Sequence, residues 1–433
     1  MSTTTHVLSP DTQAILLLCG RFAQNDSGSA SPLSVSEYDR LARWLREHKL
    51  RPADLLSTDW PHDVSDVNIP LEIRRLLTLL DRGAALAFAV EAWTNRGLWV
   101  LSRSDEAYPR RLKARLGRLA PPLLYGVGDA SLLSAGGLAV VGSRDAADST
   151  MAATRQVAQA CAEQEIAIVS GGARGVDSEA MLSALAAGGR VVGILADSLS
   201  KTAVAGKYRH ALLNDSLVLA SPYHPDSGFN AGNAMGRNKY IYALADWGLV
   251  MSAAVGEGGT WVGANEALKR RWLPLFVWSA ESVVPGNAAL LKQGAVPFPL
   301  APWLELSISL TYAAAEAEAL RVQQKAPLFS KPITTDESLR VKSSSEQEAF
   351  PGEIGPPQQL SNDVFRTVLP VLLAHLEQPC DAATLAQQLE VRPVQLQDWL
   401  TRAVKEGRVK KLNKPARYVA VQHAQGTLAI AGV

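Results

Sequence analysis

Two glycine-rich turns, each carrying an arginine, are the parts of this sequence best suited to bind an anion. Gly142-Ser143-Arg144 follows the apolar run Leu138–Val141, and Ser170–Gly175, which contains Arg174, follows Ile166–Val169. A glycine-rich turn that leads into a helix brings backbone N–H groups close to a negative charge, and the helix dipole favours that charge. An arginine beside the turn can add a bidentate phosphate contact. Either turn alone could serve only tight packing, but two at one sheet edge favour phosphate binding.

Two further clusters could extend this anion-binding edge. Gly236-Arg237-Asn238-Lys239 follows the loop 223–233, and it could also be only a solvated basic turn. Gly256–Trp261 follows an apolar run and precedes a helix that contains Glu266, which again suits an anion at a helix start. None of these strings is G-x-G-x-x-G or a Walker A motif, so the patterns do not imply NAD or ATP, and we expect no cofactor.

The elements that position these turns alternate between short β-rich runs and helical stretches. The β-rich runs are Leu138–Val141, Ile166–Val169, Arg190–Leu195, Leu217–Ala220, Trp247–Met251 and Leu273–Trp278. Segments of helical length, such as Thr150–Glu163 and Ser178–Ala187, separate most of them. The alternation predicts an α/β fold, an extended Rossmann-like, doubly wound, mostly parallel sheet. All the turns would then lie at the carboxyl edge, where open α/β sheets bind ligands.

Four segments are predicted along the 433 residues. Residues 1–105 have apolar residues at helical spacing and predict an N-terminal helical (SAM-like) module for packing or dimerisation. Residues 106–310 form the Rossmann-like core, and residues 311–360, rich in Ser, Pro and Gly, predict a flexible linker. Residues 361–425, three helices and a basic hairpin, predict a winged-helix domain. Its hairpin is basic but its presumed recognition helix is not, so duplex binding and protein docking both stay open.

Composition excludes several other classes of protein. The net charge is +1, so any nucleic-acid surface must be a local patch. The three cysteines lie far apart without C-x-x-C spacing, which argues against a metal cluster or a disulfide framework. The N-terminus lacks the basic and apolar regions of a signal peptide, and the apolar run Ala14–Cys19 is too short to span a bilayer. We therefore expect a cytoplasmic protein.

The turns, in this order, resemble the motifs of the DprA/Smf family of DNA-processing proteins. The matching strings are Tyr108-Pro109, Leu124-Tyr125-Gly126-Val127-Gly128, Val140–Arg144, Ser170–Asp177, Arg237–Ile241, Gly258–Ala264 and Gly286–Ala295. Each string alone is a weak signal, whereas the ordered set is specific. The likeness covers about residues 85–300, and a C-terminal winged helix is also usual in that family.

The resemblance implies a protein that binds single-stranded DNA at the loop edge, protects or processes incoming DNA in natural transformation, and helps to load a RecA-type recombinase. It also implies a homodimer and no catalytic residue. We expect phosphate contacts from Arg144, Arg174, Arg237 and Lys239, and base stacking on Trp261. The full set of predicted DNA-binding residues is Gly142, Ser143, Arg144, Ser170, Gly171, Gly172, Arg174, Gly175, Arg237, Asn238, Lys239, Gly258, Gly259 and Thr260.

The chain also departs from the family pattern. Met181 stands where the family has His, Lys239 replaces the second Arg of R-N-R, and Phe229 is displaced upstream of its usual place. We therefore interpret the chain as a divergent member, which leaves open a role in defence or in mobile elements and a partner other than RecA.

Two rival functions remain from the sequence. The segment Gly258–Thr260 with Glu266 loosely resembles the nucleotide-cleaving LOG proteins, although the spacing to the Glu differs. Asp177 and Glu257 could then act as acid and base, while Asp177 could instead cap its helix. The winged helix leaves a regulator that binds duplex DNA as the second rival.

Overall fold

The computed structural model describes two compact units, Met1–Lys331 and Pro332–Val433. Within them, the described residues are 8–22, 30–57, 69–279, 283–325, 369, 372–373, 375–376, 378–388, 393–412 and 417–420. The first unit contains a group of helices and a nine-stranded sheet.

Four helices open the first unit: α1 Pro10–Cys19, α2 Val35–Glu47, α3 Ile73–Leu80 and α4 Gly83–Thr94. Capping residues set where the first two begin, since the Ser9 side chain accepts the Thr12 N–H and Ser34 forms a capping box with Glu37. The apolar run in the middle of α1 is completely buried, so α1 is the centre of this helical group. Helices over these segments are as the sequence predicts.

The sheet confirms the predicted fold class. Its strands are β1 Trp99–Ser102, β2 Leu123–Gly128, β3 Leu138–Val141, β4 Ile168–Ser170, β5 Val191–Ile194, β6 Leu217–Ser221, β7 Trp247–Val250, β8 Leu275–Val277 and β9 Val296–Pro297. Their order across the sheet is β1-β2-β6-β5-β4-β3-β7-β8-β9. Strands β3 to β9 run parallel to one another, whereas β2 pairs antiparallel with β6, and β1 pairs antiparallel with β2 at the edge of the sheet.

Helices cover both faces of this sheet. They are α5 Arg110–Leu116, α6 Asp148–Glu163, α7 Val176–Ala186, α8 Leu199–Ala203, α9 Gly206–Leu213, α10 Ala231–Leu244, α11 Gly258–Arg270, α12 Pro285–Lys292 and α13 Leu306–Lys325. Successive strand residues point to opposite faces. Leu138 and Val140 of β3 therefore pack with α6 and α7, while Ala139 and Val141 pack with α10 and α11. No helix in the described parts of the chain is both long and apolar enough to cross a membrane.

The strand order reverses beside β3, and this reversal creates a crevice. The chain runs from β3 outward through β4, β5 and β6 on one side, then crosses to place β7 and β8 on the other. At such a topological switch point the loops after two neighbouring strands diverge, and open α/β sheets bind their ligands there. The loops after β3 and β7 are two of the glycine-containing turns that the sequence singled out.

Two predicted segment boundaries differ from the structure. Strand β1 lies inside the stretch predicted as helical, and all four of its residues are buried, so it lacks the alternation that marks a half-exposed strand. Helix α13 extends through residues 311–325 of the predicted linker, because Leu306 and Leu310 anchor it in the core. Residues 326–360 lie outside the described residues. The remaining segment boundaries stay predictions.

The second unit contains α14 Ala382–Gln388, α15 Pro393–Lys405 and a hairpin of β10 Val409–Leu412 with β11 Arg417–Ala420. Leu385, Leu400 and Tyr418 are buried together in its core. Most of the predicted first helix of this unit lies outside the described residues, so the winged-helix domain stays a prediction.

A half-buried ion pair makes the helical group sensitive to acid. The Arg75 guanidinium donates to Glu37 (Nη1 to Oε1, 2.7 Å), and this bond with the Ser34 N–H lowers the pKa of Glu37 from 4.5 to about 2. A lowered carboxyl pKa gives stability that is present above pH 4.5 and is lost as the pH falls toward 2. We expect Glu37→Gln to lower the free energy of unfolding by about 1–3 kcal/mol at neutral pH.

The measurement is urea unfolding of both proteins at several pH values. The difference between them should shrink below pH 4.5, whereas the exposed α4 variant Glu91→Gln should unfold like the parent protein. A difference for Glu37→Gln that stays constant down to the acid limit would contradict this origin of the stability.

Candidate functional site

A cleft of about 450 Å³ opens at the switch point between β3 and β7. Its walls are the loop after β3, the loop after β7, one face of α10 and the first turn of α11. A second hollow of about 460 Å³ continues from it over the loop between β4 and α7. The two share Arg144, Phe229 and Arg237 as a common border. We refer to both hollows together as the switch-point groove.

Beneath the groove, the Asp177 carboxylate ties two loops together. It is 6% exposed and accepts the backbone N–H groups of Gly142, Gly171 and Ala173, so it joins the loop after β3 to the loop after β4. Burial raises the pKa of Asp177, while Arg237 and these N–H groups oppose that rise. Helix α7 has no side-chain cap at Gly175, so the predicted capping role is wrong. These N–H groups face Asp177, and the phosphate contacts expected of Gly142 and Gly171 stay predictions.

Arg237 is a fixed charge in the floor of the groove. It is 5% exposed, its Nη1 donates to the Ile194 carbonyl, and its Nη2 lies 4.0 Å from Asp177 Oδ2. Its Nε is buried without a hydrogen-bond partner among the described residues. Burial lowers the pKa of Arg237 and Asp177 opposes this, but a guanidinium keeps its proton in proteins. Arg237 therefore contributes positive potential from below and lines both hollows, and the phosphate contact expected of it stays a prediction.

The glycines of the two turns allow these close approaches. A Cβ on Gly171 would lie 1.7 Å from Arg237 Nη1, so any side chain there would displace the guanidinium. Gly175 has a φ of 86°, and a Cβ on it would lie 2.4 Å from the Ser143 carbonyl oxygen. These two glycines therefore serve packing between loops, which is the alternative that the sequence had left open.

Two exposed arginines stand at the margin of the groove, as predicted. The Arg144 guanidinium carbon lies 5.3 Å from the centre of the Phe229 ring, and Phe229 is 62% exposed. Arg174 is exposed and its Nη2 donates to the Asp145 carboxylate. Arg144 borders both hollows and Arg174 borders the second. A cation beside an open aromatic face can contact both a phosphate and a base.

The first turn of α11 forms one wall of the first hollow. Gly258, Gly259 and Thr260 line it, and no side chain caps this helix. Thr260 Oγ1 donates to the Gly142 carbonyl at 3.0 Å, and Asn238 Nδ2 donates to the Gly259 carbonyl at 2.8 Å. The two side chains hold the start of α11 against the β3 loop, and this uncapped helix start suits an anion.

Four predicted contacts line neither hollow: Ser170, Gly175, Lys239 and Trp261. Ser170 is buried and donates to the Val140 carbonyl at 2.6 Å. Lys239 lies over the Tyr240 ring and lines neither hollow, because one step along α10 from Asn238 turns the side chain about 100° away. Trp261 packs partly into the core and also lines neither hollow.

The groove also contains residues that the sequence did not single out. Phe229 takes the exposed aromatic position that was expected of Trp261, and Lys201 and Lys207 line the second hollow. Both lysines follow β5, with Lys201 in α8 and Lys207 in α9, and no glycine-rich motif marks either position. Their position after the carboxyl end of a predicted parallel strand was the one available signal.

Comparisons with known proteins show which family the sheet and its groove resemble. A family model described as "DNA recombination-mediator protein A" matches residues 99–300, the part of the chain that contains the sheet and the whole groove. Residues 99–300 of this chain are therefore similar to the DprA family. The resemblance of its ordered motifs to that family is thereby confirmed.

Individual proteins are similar to this chain over parts of its length. The DNA processing protein DprA of Streptococcus pneumoniae is 30% identical over 167 residues, 38% of this chain and 57% of that protein, so the chain spans little more than half of that relative. The X-ray structure of DprA from the same organism has a TM-score of 0.46 at 20% identity, covering 66% of this chain and 94% of the other. The structure describing the single-stranded DNA binding mode of DNA processing protein A from Helicobacter pylori has a TM-score of 0.39 at 25% identity, covering 51% and 96%.

The contact between Gly171 and Arg237 gives a direct test of the site's packing. Gly171→Ala should lower the free energy of unfolding by about 1–3 kcal/mol, since overpacking forces backbone and side chains to move. Gly206→Ala is the matched control, because nothing lies within 4 Å of its Cβ position. Chemical unfolding of both variants measures the effect. Equal stability of the two variants would contradict the placement of Arg237 under Gly171.

Proposed function

We propose that this DprA-like protein binds single-stranded DNA in the switch-point groove, without strong sequence preference and without catalysing a reaction. The observation that carries the proposal is the exposed pair of Arg144 and Phe229 at the border of the two hollows, above the buried charge of Arg237. An unpaired base can stack on an open ring, whereas a base inside a duplex has no free face to offer.

The charges around this pair are suited to a phosphate backbone. Arg174, Lys201 and Lys207 line the second hollow, and the uncapped first turn of α11 lines the first. Cations spread along a groove follow successive phosphates, and affinity from such contacts falls steeply with salt. The matching family model, described as a recombination mediator, and the DNA-processing relative support the same kind of ligand.

The arrangement of carboxylates favours binding over nucleotide cleavage. Glu266 accepts from Arg270 and lines neither hollow, and Asp177 is bonded to loop N–H groups. Asp177 and Glu266 are therefore not free to act as the acid or base that a LOG-like reaction requires. Glu257, the second predicted candidate, lines the first hollow, but among the residues that line it no free carboxylate is left for the other role. We propose a recombination mediator that protects or processes incoming DNA and hands it to a RecA-type recombinase. A homodimer belongs to the same proposal, whereas a role in a defence system is an alternative to it.

The proposal predicts the effect of removing the exposed guanidinium. Arg144→Ala should weaken binding of a labelled single-stranded oligonucleotide about 5- to 10-fold, because a phosphate contact and a partner of the stacking ring are lost. The slope of log affinity against log salt should become shallower by about 0.7. Fluorescence anisotropy at several salt concentrations measures both quantities.

Lys239→Ala is the matched control, since it removes one charge from α10 outside the groove. It should leave affinity and salt slope near those of the parent protein. Normal binding by Arg144→Ala would place the DNA elsewhere, and a preference for duplex over single strands would favour a regulator. Hydrolysis of a nucleoside monophosphate would favour the LOG-like alternative.

A further inference from the structure

Two shallow hollows of about 450 and 400 Å³ lie among α2, the residues after β1 and the turn at residues 117–118, away from the residues of the groove. They share Arg46 and Arg103, so they form one continuous surface. We call its six cationic residues the arginine face: Arg43, Arg46, Arg51, Arg103, Lys113 and Arg118. Two carboxylates, Asp11 and Asp39, also line it.

The two carboxylates neutralise only part of this charge. Asp39 pairs with Arg43 at 3.2 Å and with Arg103 at 3.6 Å, and Asp11 pairs with Arg51 at 2.8 Å. Six cations against two anions leave a local excess of four positive charges, in a chain whose net charge is +1. Burial and the charge of Arg103 lower the pKa of Lys113, in keeping with an unneutralised field.

Helix α2 presents part of this charge to the solvent, because its other sides are packed in the core. Asp39, Arg43 and Arg46 follow helical spacing along one side of α2, while Leu41, Trp44 and Leu45 on other sides of the helix are buried in the core. Arg46 and Arg118 are exposed, and among the described residues neither has an ion-pair partner. Two free guanidinium groups on neighbouring elements, whose forks suit a phosphate, therefore remain available to a ligand.

We propose that the arginine face is a second nucleic-acid site, which binds the phosphate backbone of a strand beyond the part held in the groove. The hollow beside Arg118 is lined by charged residues and Gly117 alone. The neighbouring hollow also has apolar lining, but Tyr38 and Leu45 there are buried in the core, so the surface lacks the exposed apolar centre of a protein interface. Five of the six cations are arginines, the side chain that binds phosphate bidentately. This inference rests on the proposed function, since it extends the same ligand across a second surface.

The experiment compares short and long labelled oligothymidines by fluorescence anisotropy, with full-length protein. A probe of about 6 nucleotides matches a single site, and one of about 30 nucleotides can reach both. The test variant is Arg46→Ala with Arg118→Ala. The control, Arg74→Ala with Lys292→Ala, removes two exposed charges elsewhere on the same unit. Circular dichroism during heating checks that each variant is folded.

The test variant should bind the long probe about 5- to 10-fold more weakly, with a salt slope shallower by about 1.4, and should bind the short probe normally. The control should bind both probes like the parent protein. Unchanged binding of the long probe would overturn the inference, and so would equal weakening for both probes. If DNA does not bind in the switch-point groove, the pattern differs. The short probe then does not bind and Arg144→Ala has no effect, whereas the test variant still binds the long probe more weakly than the parent protein.

Discussion

The switch-point groove depends on one buried interaction, the Asp177 carboxylate held by three backbone N–H groups and facing Arg237. An isolated charge inside a protein is costly, so this carboxylate must be hydrogen-bonded and paired. Meeting that requirement draws the loops after β3 and β4 together, and it places Arg237 so close to Gly171 that no side chain fits there. The floor of the groove is therefore rigid and carries the positive charge of Arg237, and the exposed cations Arg144 and Arg174 lie at its margin.

Local sequence patterns were sufficient to predict six of the nine strands, β3 to β8, and the edge where the site lies. An apolar run such as Leu138–Val141 and the glycine-rich turn after it form a strand and a loop because of residues that are close together in the sequence. The parallel strands and their loops could therefore be inferred. Strand β1 was missed because all four of its residues are buried, and only pairing with β2, a contact distant in sequence, separates it from a helix. Helix α13 extends beyond its predicted end because two leucines enter a core formed by other segments.

The identity of the contacting residues could not be predicted in the same way. Whether an N–H group is free depends on which side chain reaches it, and in this protein Asp177 faces the N–H groups of Gly142 and Gly171, two residues that were expected to bind phosphate. Whether a basic residue faces the groove depends on helix phase, which buries Arg237 and turns Lys239 away. Phe229, Lys201 and the arginine face are brought to their surfaces by tertiary packing, and no motif marks them.

The most direct test of this account is to locate the bound strand itself. A single-stranded oligonucleotide with photoreactive bases would be cross-linked to the full-length protein at saturation, and the modified peptides identified by mass spectrometry. The account predicts adducts on Phe229 and on the loops at residues 142–147 and 171–175, lost in competition with unlabelled single strands. Adducts confined to residues 332–433, with none in the groove, would contradict it.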